Sequence, residues 1–178
     1  MANVRGMKEA STSKLAWLPV VIVPLGAIVF QVYVPRFIEY LSYLELPLLV
    51  TVYFALLRRS PVAGVLFGAG VGLAQDSLSH HPLGMFGIVK TLVGYFAASV
   101  SQRFDVRNSA VRGILAFFFY FFHEFFYWVL ARALLGQIFE FEPVQVVVKS
   151  ALNAAVAIPL YHILDKLGAA GFSLQKAV

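Results

Sequence analysis

From Leu15 to Val34 the chain passes twenty residues without a single charged side chain. A helix rises about 1.5 Å per residue, so a run of this length crosses the ~30 Å hydrocarbon core of a bilayer. Comparable apolar blocks recur along all 178 residues, of which 60% are hydrophobic and only 13% charged. Soluble domains hold roughly 45–50% apolar and 25% charged residues. A soluble enzyme is excluded on this ground, because too little polar surface exists to clothe its core. Disorder is excluded by the same composition. The sequence contains no cysteine, which removes disulfides, thiolate catalysis and cysteine-ligated metals.

The expected fold class is an all-α integral membrane protein, one domain over residues 1–178 with six transmembrane helices. The predicted helices cover 15–34, 44–57, 62–79, 83–102, 109–135 and 144–164. Arg5, Lys8 and Lys14 precede the first block, as they would in a signal peptide. The block is too long for an ordinary h-region and no small-x-small cleavage site follows, so it reads as a retained helix, bent at Pro19 and Pro24. With a cytoplasmic N-terminus, the inner set is Arg5, Lys8, Lys14, Arg58, Arg59, Arg103, Arg107, Arg112, Lys166 and Lys176. Only Arg36, Arg132 and Lys149 fall outside, and Lys90 lies within the membrane. Ten basic residues against three place both termini in the cytoplasm. Glu39, Glu45, Asp76, Glu140 and Glu142 collect on the opposite side.

Gly64, Gly68 and Gly72 recur every fourth residue and therefore share a face of the third helix. Small residues on one face let a second backbone approach, which in lipid replaces the missing hydrophobic drive. Gly87, Thr91, Gly94 and Ala98 form a matching stripe on the fourth helix. Two readings stand: the two helices pack as a hairpin, or the stripe is a groove for a partner's helix. The fifth helix holds ten aromatic residues in the twelve from Phe117 to Trp128. Aromatics on every side imply both core packing and lipid contact, and a wall for a lipid substrate is the alternative.

Ionisable groups within a membrane are costly and mark candidate functional sites. Asp76 near the end of the third helix, Lys90 two turns into the fourth, and His123 and Glu124 in the fifth meet that description, with Asn153 as a polar residue of the sixth. Similar depths of Lys90 and Glu124 predict an Asp76/Lys90/Glu124 cluster. It could act as a clamp on helix register, as a site for an external polar group or partner side chain, or as a proton relay, although no inward-facing relay group is found. No catalytic constellation is recognised. His80 and His81 are adjacent on a turn, His123 and His162 sit on different helices, and an H-E-x-x-H motif fails because Tyr127 stands where the second histidine is needed. Neither a metal site nor a cofactor is expected, and the positive charge reads as orientation rather than nucleic-acid binding.

The third-to-fourth helix turn reads Gly72-Leu73-Ala74-Gln75-Asp76-Ser77-Leu78-Ser79-His80-His81-Pro82-Leu83-Gly84, with Leu46-Pro47-Leu48-Leu49-Val50 and Arg58-Arg59-Ser60-Pro61 upstream. In these segments the chain resembles the rod shape-determining protein MreD family, where a helix ending G-L-x-x-D precedes a P-L-G that opens the next. Aspartate can cap such a turn, proline suits a first helical turn, and glycine clears space. The resemblance implies a non-enzymatic inner-membrane subunit of the bacterial cell-elongation machinery that helps regulate peptidoglycan synthesis. It implies an architecture similar to the substrate-binding subunits of energy-coupling-factor transporters. It also implies binding to MreC, and through it links to MreB, RodA and the penicillin-binding transpeptidase. Gly72, Asp76, Pro82 and Gly84 carry over as positions with a structural or partner-docking role.

The competing expectation is a vitamin- or metal-binding subunit of an energy-coupling-factor transporter. The alanine-x-x-x-alanine pattern common in the first helix of that class is missing here, since Val20 follows Ala16 and Gln31 follows Ala27 at that spacing. A third expectation, a lipid-modifying enzyme, lacks a catalytic set.

Overall fold

Apolar runs punctuated by Pro, Gly and Asn give helices and short turns, and the computed structural model follows them. It describes residues 18–79, 82–138 and 140–171. Six α-helices are present among them: α1 Leu18–Tyr33, α2 Leu46–Arg58, α3 Pro61–Leu78, α4 Met85–Ser101, α5 Ser109–Leu135 and α6 Pro143–Gly171. Two short 3-10 helices, Val34–Arg36 and Glu39–Tyr43, join α1 to α2. No strand occurs among the described residues.

The helix boundaries have local causes. Arg59 takes a left-handed conformation (φ 52°) and ends α2; Ser60 then caps α3, its Oγ accepting from Ala63 N–H, with Pro61 in the first turn. Asn108 Oδ1 accepts from Ala110 N–H to open α5, and Gly136 (φ 62°) closes it. Both ends of α5 match the predicted 109–135. The fourth helix does not begin at the predicted residue 83. Gly84 turns the chain at φ 95°, so Pro82 and Leu83 belong to the turn and α4 starts at Met85. Pro82 therefore precedes the helix rather than filling its first turn, and its carbonyl accepts from Met85 N–H. The sixth helix runs past its predicted end at 164 and contains Pro159 without being terminated by it. Residues 15–17 of the first predicted helix lie outside the described residues, as do His80 and His81.

Helix α2 occupies the centre: Pro47 to Leu56 are all buried. One face, Leu48, Val52, Ala55 and Leu56, packs on Val93, Ala97 and Ala98 of α4 and on Leu115, Phe119 and Tyr120 of α5. The other, Leu49, Val50, Tyr53 and Phe54, meets Ala27 of α1 and Ala157, Tyr161 and Leu164 of α6. Helices α3 and α4 form the closest pair, and α5 lies against α6.

Among the described residues four segments are long and apolar enough to cross a membrane: Pro19–Arg36, Glu39–Arg58, Ser109–Leu135 and Pro143–Leu167. Met85–Ser101 is apolar but shorter. The outward faces are apolar as well; Ile22, Leu66, Ile114, Val148 and Ile163 are each more than half exposed. Such a surface suits lipid rather than water.

Candidate functional site

The glycine stripe is consumed by packing inside the chain. A Cβ on Gly64 would strike the carbonyl of Gly94, one on Gly68 the carbonyl of Lys90, and one on Gly72 the carbonyl of Phe86. Backbone meets backbone along three successive turns, so α4 fills the face that a partner's helix would otherwise take. Gly70, two residues from Gly68 and off the stripe, has nothing within 4 Å of its Cβ position.

This closeness places Asp76 over the start of α4. Its Oδ2 accepts from Gly84 N–H (2.9 Å) and Gly87 N–H (3.0 Å), and its Oδ1 from Phe86 N–H (3.1 Å). A helix N-terminus carries unpaired N–H groups and a partial positive charge, and one carboxylate from the neighbouring helix answers both. At 2% exposure, Asp76 is wholly committed to this cap.

Lys90 is fully buried, and its partner is Glu45, not Glu124. The Nζ donates to Glu45 Oε1 at 2.8 Å and lies 4.3 Å from the centre of the Phe86 ring. Gln75 Nε2 donates to the same carboxylate oxygen at 2.9 Å. The predicted Asp76/Lys90/Glu124 cluster is therefore corrected in two places. Asp76 is used up by the α4 cap, and Glu124 sits on α5, 3.5 Å from His123 Nδ1.

Glu45, expected with the other acids toward the outer side of the membrane, lies largely buried at the N-terminus of a short α2. Thirteen residues span only about 20 Å. Its N-terminus stops beside Asn153, ten residues inside the Pro143 end of α6. Side chains from neighbouring helices satisfy the exposed backbone there. Glu45 N–H donates to Asn153 Oδ1 (2.9 Å) and Leu46 N–H to Gln31 Oε1 (3.3 Å). Asn153 Nδ2 donates in turn to the carbonyls of Tyr43 (2.8 Å) and Lys149 (2.9 Å). Non-helical backbone at membrane depth survives only with such partners.

His123 completes the cluster from α5. It is 1% exposed and stacks on Phe86 with ring centroids 5.8 Å apart. Neither ring nitrogen has a hydrogen-bond partner, and neither does Gln75 Oε1. At the opposite end of the bundle a second polar group, unanticipated from sequence, joins three helices. Asp165 of α6 accepts from Arg112 of α5 and, at 2.9 Å, from Tyr53 Oη of α2, while Arg112 Nε donates to the carbonyl of Val106. Among the described residues no group of three or more His, Asp or Glu is placed to hold a metal ion.

Glu45 and Gln75 were missed as cluster members, although the sequence held a signal for Glu45. Counting thirteen residues back from Arg58-Arg59 stops about 10 Å short of the far face of a ~30 Å core. Glu45 must then lie below that face.

No curated protein and no solved structure matches the chain. A family model does: the one described as rod shape-determining protein MreD matches residues 11–169. The G-L-x-x-D and P-L-G segments fall inside that span, and in the structure they are the two sides of the Asp76 cap. The match takes in nearly the whole all-α, membrane-suited bundle, and the chain belongs to the MreD family of rod shape-determining proteins.

Proposed function

We propose that this membrane protein serves as a non-enzymatic subunit of the bacterial cell-elongation machinery, in the cytoplasmic membrane, where it binds MreC and through it influences peptidoglycan synthesis. The observation that carries the reading is the family match across residues 11–169. MreB, RodA and its penicillin-binding transpeptidase are then indirect partners, and lipid surrounds the bundle. All six helices cross the membrane with both termini cytoplasmic, which is the sense favoured by the ten-to-three division of basic residues. The likeness to energy-coupling-factor substrate-binding subunits extends to helix number.

Co-expression of the tagged chain with MreC, followed by purification from membranes, tests the partner. Stoichiometric recovery of MreC is expected, together with restored rod shape when the chain is supplied to cells lacking their own copy. Recovery of a transporter's motor subunit and ATPases in place of MreC would reject the proposal. Topology can be read directly, because the sequence has no cysteine to remove. Ser42→Cys should react with an impermeant thiol reagent in intact cells, and Gln102→Cys only after the membrane is opened.

A further inference from the structure

Three buried polar atoms beside the Glu45–Lys90 pair have no hydrogen-bond partner: Gln75 Oε1 and both ring nitrogens of His123. Gln75 is 3% exposed and His123 1%. Leaving such groups bare in an apolar interior is unfavourable, and native structures rarely do so without a water, an ion or a ligand. Glu124, the next residue on α5, keeps 29% of its side chain exposed and, among the described residues, has no lysine or arginine partner. Tyr120, His123, Glu124 and Tyr127 are spaced i, i+3, i+4, i+7 and share one side of α5. Phe86 stacks on His123 (5.8 Å) and on Tyr127 (5.2 Å) and faces the Lys90 ammonium, so this side of α5 adjoins the Glu45–Lys90 pair.

The chemistry of what is missing follows from the groups already satisfied. Glu45 and Lys90 neutralise each other, and the α4 N-terminus absorbs the charge of Asp76. Glu124, with no lysine or arginine partner among the described residues, leaves one negative charge beside the His123 ring. The unfilled positions are mostly acceptors: Gln75 Oε1, the Glu124 carboxylate and the bare nitrogen of a neutral imidazole. Phe86 already presents its ring face to the Lys90 ammonium, and Tyr127 stacks on Phe86 at 5.2 Å. A group that is positive, rich in N–H donors and tolerant of aromatic faces fits this set. We propose that Glu124, His123 and Gln75 form a binding site for a primary ammonium group, carried either by an ethanolamine phospholipid or by a free amine. This goes beyond the elongation role and does not depend on it.

Choline compounds provide the control, since their quaternary nitrogen keeps the charge and has no N–H to donate. The full chain, in nanodiscs of mixed phosphatidylethanolamine and phosphatidylcholine, is released for native mass spectrometry. Preferential retention of phosphatidylethanolamine is expected, falling roughly tenfold in Glu124→Gln, as loss of one charge-assisted hydrogen bond implies. His123→Phe keeps the ring stack, removes both nitrogens and should lose selectivity too. Glu39→Gln, on the exposed 3-10 helix, should not. If retained lipids show no preference, stabilisation of the wild-type chain against heat by ethanolamine and not by choline, lost in either variant, identifies a free amine as the source. Failure of the wild-type chain to tell ethanolamine from choline in both assays overturns the site, whatever the variants do. Full selectivity in a folded Glu124→Gln or His123→Phe chain overturns it equally.

Discussion

Lys90 shows how a single residue can bind the fold together while adding little net stability. Burying both charges costs several kcal/mol each, and a good pair roughly recovers that cost. Removing one partner is a different matter. Lys90→Met leaves Glu45 at membrane depth with only Gln75 beside it and should lower stability by about 3–5 kcal/mol. The double variant Lys90→Met, Glu45→Leu should recover most of that loss. Thermal unfolding of the three variants in detergent gives the coupling, and simple additivity would deny the pairing. Asp76 offers a gentler test. An asparagine side chain there keeps one acceptor oxygen but turns an amide N–H₂ toward backbone donors, so Asp76→Asn should cost roughly 1–2 kcal/mol by the same assay. That Lys90 and Asp76 would need partners was legible in sequence, and both are buried; which residue pairs with Lys90 was not. A charge reveals that it needs a counter-charge, but which helix supplies it depends on where each helix stops.

At the level of elements, the α3–α4 pair is specified more tightly than any other contact in the bundle. Its spacing-of-four glycines were visible at once, because period and residue size together determine which backbone can come close. The structure resolves the choice between hairpin and partner groove through the three carbonyls that occupy the stripe. Gly68→Leu should therefore prevent close approach and destabilise the chain by roughly 3 kcal/mol or more. Gly70→Ala, two residues along and facing open space, should be neutral or gain about 0.5–1 kcal/mol in helix propensity. Yields of folded chain after size-exclusion chromatography should separate the two. Equal yields would remove the stripe's role. The end of α2 was harder to read, because Leu44 continues the hydropathy of the helix. Only Pro47 and the distance back from Arg58-Arg59 betray the early stop.

Across the whole molecule, the two polar groups divide the labour. The Arg112–Asp165–Tyr53 group ties α5, α6 and α2 at one end. Glu45, Gln75, Lys90 and Asn153 tie α2, α3, α4 and α6 nearer the other. Helix α2 takes part in both, and its burial on two faces makes it the post around which the others stand. The lengths and boundaries of the apolar runs sufficed to name the all-α class and its six helices. The arrangement of helices around α2 was hidden, since hydropathy is blind to which apolar face meets a neighbour and which meets lipid.

The Glu45–Lys90 contact also imposes a timetable on synthesis. The two residues are 45 positions apart, so at ~5–20 residues per second Glu45 emerges roughly 2–9 s before its counter-ion exists. During that interval α2 carries a lone carboxylate that lipid will not accept. The early helices must then linger beside the insertion machinery, or in water at the membrane surface, until α4 arrives. A chain cut after Leu78 should consequently be cleared from the membrane several-fold faster than one cut after Ser101, as pulse-chase labelling can measure. Assembly of this bundle is thereby gated by its fourth helix.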